Sequence, residues 1–201
     1  MSDKYLQDIS EIKMLMKKSS QFISLSGLAG ILAGVYALIG AFIGHLLIVN
    51  HPTPLITLES LTFKLILLVA FIILLLSVGT ALLFTYKKAK RESEKIWNAT
   101  SKRMLLHFLI PLFTGGVFSI LLLKNENYGL IAPVTLIFYG LSCVNASKYT
   151  FSDVLYLGIT IIIIGLFSLA FVGYGLYFWA LGFGVCHIIY GSLIYFRHDR
   201  N

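Results

Sequence analysis

Long apolar runs alternate with short charged segments along this chain. No Asp, Glu, Lys or Arg occurs between Ser19 and Leu58. The next uncharged runs are Leu65–Tyr86, Met104–Leu123 and Asn127–Ser147. The last, Val154–Phe196, is uncharged for 43 residues. As one helix that run would extend about 65 Å at 1.5 Å per residue, twice the hydrocarbon thickness of a bilayer, so it must fold back. Gly173-Tyr174-Gly175 is the natural turn, because glycine accepts positive φ. A helix needs about 20 apolar residues to cross a bilayer. The pattern therefore predicts six spans, at about residues 25–48, 65–86, 104–123, 127–147, 154–172 and 176–196. Asn50-His51-Pro52-Thr53-Pro54 ends the first. Ahead of it, Tyr5, Ile9, Ile12 and Met16 follow helical spacing, with Asp3, Gln7, Glu11 and Lys18 opposite. This predicts an amphipathic helix over residues 1–21, lying at the membrane surface or packed on the protein's own cytoplasmic loops. The expected fold is all-α: a polytopic six-helix transmembrane domain over residues 22–201, preceded by that surface helix.

Composition agrees with a lipid-facing chain. Hydrophobic residues make up 58%, charged residues 12%, and the mean hydropathy is +0.86. Soluble domains carry about 25% charged residues, and half that coverage cannot coat a globule of this size. Within lipid, only helices and closed barrels satisfy their own backbone. Barrel strands would alternate in polarity, whereas these runs are continuous. The net charge of +7 lies beside the spans, so it sets orientation. Of the 16 Lys and Arg residues, fourteen fall on one side of a six-span arrangement, and Lys64 and Lys124 on the other. The positive-inside rule then puts both termini in the cytoplasm. Two glycosylation-type triplets, beginning at Asn98 and Asn145, fall on that side and are rejected. Cys143 and Cys186 lie in apolar runs, where free cysteine acts as a small hydrophobe.

Candidate chemistry is sparse. In the first span Gly27, Gly30, Gly34, Ala37, Ala41 and Gly44 recur at three- and four-residue steps. Small residues allow close helix approach in lipid, so this seam is expected against another helix, with the sixth span as the candidate. A pore-lining role is the alternative. The sixth span has a mixed seam of Gly173, Tyr177, Ala180, Gly184, His187 and Gly191. His187 falls near the midplane, about 15 Å from the boundary at Arg197. A polar group there should face the bundle, and Tyr139, Tyr177 and Tyr190 are grouped with it as a candidate intramembrane polar site. Pro111 and Pro133 could kink the third and fourth spans.

Residues 87–103 form a basic loop. Lys87, Lys88, Lys90, Arg91, Lys95, Trp97, Lys102 and Arg103 are expected to contact anionic lipid headgroups. A cytoplasmic protein partner is the alternative. Nucleic acid is not expected, because no recognition motif accompanies the charge. No catalytic residue, cofactor or metal site is expected either. Phosphate-loop, zinc-type and nucleophile-elbow patterns are missing. Only His187 among the histidines is central, which argues against a haem held between two of them.

The segments IKMLMKKSSQF, ISLSGLAGILAGVYALIGA, PLFTGG, LIFYG and WALGFGVCHIIYG resemble a family of small, uncharacterised bacterial inner-membrane proteins with six predicted spans. The resemblance implies residence in the bacterial cytoplasmic membrane, and it brings no activity or site residues. The expected function is non-enzymatic, with a regulatory or scaffolding role. A channel or facilitator for a small solute is the alternative, and a lipid-modifying enzyme a third class.

Overall fold

The computed structural model describes residue 22 and residues 24–50, 59–92 and 96–199. The predicted amphipathic helix over 1–21, the turn at 51–54 and Lys95 lie outside the described residues. What is described is helical, and six helices are long and apolar enough to cross a membrane. They are α1 (Gly27–Val49), α2 (Leu61–Arg91), α3 (Ala99–Lys124), α4 (Tyr128–Tyr149), α5 (Asp153–Ala170) and α6 (Gly175–Asp199). The helices run past the uncharged spans wherever a Lys or Arg continues the final turn. α2, at 31 residues, extends about 46 Å at 1.5 Å per residue. It therefore carries Lys87, Lys88, Lys90 and Arg91 as helix rather than loop.

Local chemistry sets the ends. Ser60 caps α2 by accepting from the Phe63 amide. Asn98 and Ser101 form a reciprocal capping box at the start of α3, satisfying amides that have no intrahelical partner. Pro133 is the third residue of the α-helical part of α4 (Ile131–Ala146). Proline is tolerated in this first α-helical turn, where amides lack a partner within the α-helical part. The predicted turn between α5 and α6 is present, with Gly173 at φ 103°, a conformation side-chain-bearing residues resist. α6 is not uniform: Ala180–Cys186 and Tyr195–Asp199 are wider π-helical turns.

α1 packs between α2 and α6, α6 also meets α4 and α5, and α3 leans on α4. Small residues bring helix backbones together at two places. A Cβ at Gly34 would lie 2.6 Å from the Gly184 carbonyl oxygen, and one at Gly191 would lie 2.6 Å from the Ile31 amide nitrogen. Gly27 and Gly30 also abut α6 backbone, Ala37 and Ala41 are buried, and Gly44 faces Leu176 of α6. The second approach joins α4 to α5. Cβ atoms on Gly140 and Gly158 would each lie 2.7 Å from the other's carbonyl oxygen. α2 differs from all of these: Leu67, Leu68, Phe71, Leu75, Leu82 and Leu83 are exposed along it.

Candidate functional site

The densest polar arrangement joins the C-terminal end of α2, the N-terminal end of α1 and the C-terminal end of α6. Lys88 turns inward, with Nζ 2.7 Å from Asp199 Oδ1 and both side chains under one-tenth exposed. The same Nζ donates to the Leu25 carbonyl at 3.1 Å. The other carboxylate oxygen, Oδ2, accepts from the Gly27 amide at 2.8 Å and the Ser26 hydroxyl at 3.2 Å. Ser26 occupies the N-cap position of α1 but makes no side-chain cap bond. A carboxylate from the far end of the chain caps that helix instead, placing negative charge at the positive end of its dipole. Arg91 adds a bond to the Asp199 backbone carbonyl.

A second acid lies close by. Asp153, buried in the first turn of α5, accepts from Arg197 Nη1 at 2.6 Å and faces His198 Nε2 at 3.4 Å. The His198 ring stacks on Phe151 at 4.0 Å, and Lys88 Nζ lies 5.2 Å above the same Phe151 ring. Phe22, ahead of α1, is tied here too. The Phe22 amide donates to the Tyr149 carbonyl, and Thr150 donates to the Phe22 carbonyl. One ionic clasp thus binds α1, α2, α5 and α6 at a single end of the bundle.

This arrangement corrects the sequence expectation for Lys88, which is an internal ion-pair partner and not a headgroup contact. Helix rotation explains the difference. Successive residues turn about 100°, so Lys88 and Ala89 face the protein while Lys87 and Lys90 face out. Arg91, Lys102, Arg103 and Trp97 are also exposed, and Lys102 Nζ lies 5.9 Å from the Trp97 ring. Asp199, Asp153, Ser26 and His198 escaped the sequence reading. Two acids flanking an otherwise uncharged 43-residue run on the basic side were the signal that could have found them.

The four residues grouped around the midplane separate into three pairs. His187 is buried and lies 2.7 Å through Nε2 from the Tyr139 hydroxyl. Its Nδ1 lies 3.1 Å from the Gly182 carbonyl, within the π-helical turn of α6. A carbonyl can only accept, so Nδ1 carries a proton, and in the neutral imidazole Nε2 then accepts from the Tyr139 hydroxyl. One neutral imidazole thereby satisfies both nitrogens. Tyr190 pairs instead with Thr160 at 3.1 Å, and exposed Tyr177 reaches His45 at 3.4 Å. Hydroxyls of Thr80, Thr114, Ser119, Thr135, Ser142 and Ser192 bond back to carbonyls of their own helices. Cys143 and Cys186 are free and buried. Among the described residues, no group of three or more His, Cys, Asp and Glu could hold a metal ion.

Comparison with protein families, curated proteins and solved structures gives no match. A functional reading therefore rests on the chain's own residues.

Proposed function

We propose that this chain is a multi-pass protein of the bacterial cytoplasmic membrane, with both termini inside, that serves a non-enzymatic regulatory or scaffolding role through its basic end. The observation that carries this is the ionic clasp. Lys88, Asp199, Ser26 and the α1 N-terminus lock α1, α2 and α6 at one end and the Asp153–Arg197 pair adds α5, while Lys87, Lys90, Arg91, Lys102 and Arg103 remain outward. A rigid end with free cations suits docking to a partner of opposite charge. The small-solute conduit is the weaker reading, because the midplane hydroxyls and His187 bond to each other or to their own backbones. A conduit needs such groups to line a continuous path.

The orientation rests on the charge bias and is tested by single-cysteine labelling in intact cells. Positions 53, 125 and 174 should react from outside, and position 90 should not. The role is tested by crosslinking and copurification from membranes, set against solute release from reconstituted vesicles. A cytoplasmic protein captured by wild type but not by a variant with Lys102→Gln and Arg103→Gln supports scaffolding. Selective solute flux without a captured partner overturns it.

A further inference from the structure

On α2, Leu83, Tyr86, Lys87, Lys90 and Arg91 line a single open groove. Their spacing of three, four, seven and eight residues from Leu83 puts them on one helical face. The groove is graded along the helix axis. Leu83 is 60% and Tyr86 57% exposed, and they continue the bare apolar surface of α2. One turn further on, the same face becomes cationic. Among the described residues no acidic side chain lines the groove. Among the described residues Lys87 and Lys90 make no ion pair, and Arg91 bonds through Nη2 to the Asp199 carbonyl. Lys87 Nζ also lies 5.7 Å from the Phe84 ring, which keeps that ammonium over the helix surface.

We infer that this groove is a binding site for one anionic glycerophospholipid, with its phosphate held by Lys87, Lys90 and Arg91 and an acyl chain lying along Tyr86 and Leu83. The match is of charge and of depth together. An apolar tail needs the exposed side chains that precede the basic turn, and a phosphate needs several converging donors immediately beyond them. A soluble acidic peptide would use the cations but leave the apolar half of the face unmatched. Guanidinium and two ammonium groups on one face also exceed what orientation alone requires, since the positive-inside bias is indifferent to how cations are arranged around a helix. The inference rests on this end lying in an anionic leaflet. The labelling at position 90 tests that separately, because lipid binding in detergent does not depend on orientation.

The test uses the full chain purified in dodecyl maltoside. Dioleoylphosphatidylglycerol is titrated in, with bound lipid read by native mass spectrometry and thermal unfolding followed in parallel. Dioleoylphosphatidylcholine and inorganic phosphate serve as comparison probes. A saturable single phosphatidylglycerol is expected, bound more tightly than phosphatidylcholine. Lys87→Gln with Lys90→Gln should weaken it about thirtyfold, taking about 1 kcal/mol per cation. Lys87→Arg with Lys90→Arg should retain it, and Lys102→Gln with Arg103→Gln should leave it near wild type. Unchanged lipid-free unfolding temperature in these variants establishes that each has folded. Equal binding of phosphatidylcholine, equal protection by inorganic phosphate, or an equal loss in both glutamine pairs overturns the site. The last of these outcomes would mean that charge acts diffusely rather than through this groove.

Discussion

The molecule handles polarity in two ways, at two depths. Midway along α6, His187 shares both ring nitrogens, with the Tyr139 hydroxyl and the Gly182 carbonyl. At the end of the bundle, Lys88 and Asp199 are charged, buried and surrounded by an amide, a hydroxyl and a carbonyl. Both arrangements leave little unsatisfied, but they answer different costs. Formal charge deep in hydrocarbon is expensive, so the midplane uses a neutral imidazole. At the end, a helix N-terminus supplies amides and a favourable dipole, and an ion pair can be held there. The difference teaches that polarity in this bundle serves assembly: one pair joins α4 to α6, and the other joins the chain's last described helix to its first.

The strongest way to break this comparison is to remove half of the charged pair. Lys88→Met leaves the Asp199 carboxylate buried with only neutral donors. Unpairing a buried charge costs about 3–5 kcal/mol. The variant should show a large loss of folded protein in denaturant titrations in mixed micelles. Lys88→Met combined with Asp199→Leu should recover part of the loss, since no lone charge remains. Wild-type stability in the single variant would show that the pair contributes nothing and that Lys88 reaches water on its own.

A second test strikes the packing that both arrangements rely on. Gly34→Leu would drive side-chain atoms into the Gly184 carbonyl, which sits 2.6 Å from where even a Cβ would go. Backbone cannot yield as a flexible side chain can, and overpacking costs about 1–3 kcal/mol. The expected result is less folded protein in membranes and a lower unfolding temperature. Gly79→Leu is the control, because nothing lies within 4 Å of a Cβ there. Equal behaviour of the two variants would remove the α1–α6 seam from any account of stability.

Much of this architecture was legible beforehand, and the reasons are physical. Span number follows from the cost of charge in lipid, so uncharged runs mark the helices directly. The α1 seam was legible because six small residues at helical spacing have few other uses. The α4–α5 approach was not, since the small residues of α4 and α5, Gly140, Cys143 and Ala146 on one and Gly158, Gly165 and Ser168 on the other, are interleaved with large ones and form no seam as long or regular as that of α1. Lys88 was illegible for a different reason. In a run of basic residues the sequence does not say which one the helix turns inward, and its partner Asp199 lies 111 residues away. The π-helical turns of α6 leave no composition signal either, yet one of them supplies the Gly182 carbonyl to His187.

The neutral pair should matter less than the charged one. His187→Phe removes the acceptor for the Tyr139 hydroxyl and the donor to Gly182 while keeping a ring of similar size. Interhelical hydrogen bonds in membrane proteins average about 0.6 kcal/mol and reach about 1.7. With that interhelical bond and the local one to Gly182 both lost, about 1 kcal/mol is expected, within this range. A double-mutant cycle with Tyr139→Phe isolates the Nε2 bond. Non-zero coupling supports a direct bond. Additive losses would mean that the two side chains act independently.

The smallest effect is expected at Tyr190, and its smallness is informative. Tyr190→Phe breaks a 3.1 Å contact to Thr160. That hydroxyl already donates to the Tyr156 carbonyl of its own helix at 2.8 Å, so the Tyr190 hydroxyl is the donor between them. Thr160 therefore keeps its donor satisfied when tyrosine is lost and forfeits only an acceptor interaction. His187 has no such fallback, since Nδ1 and Nε2 each have one partner in the protein. The loss at Tyr190 should fall below about 0.6 kcal/mol, the membrane average, and below the loss at His187 measured under the same conditions. If Tyr190→Phe proved the more damaging, back-bonding within a helix would not compensate for a lost interhelical partner. The Ser and Thr hydroxyls that bond to their own carbonyls would then have to be counted as strained rather than satisfied.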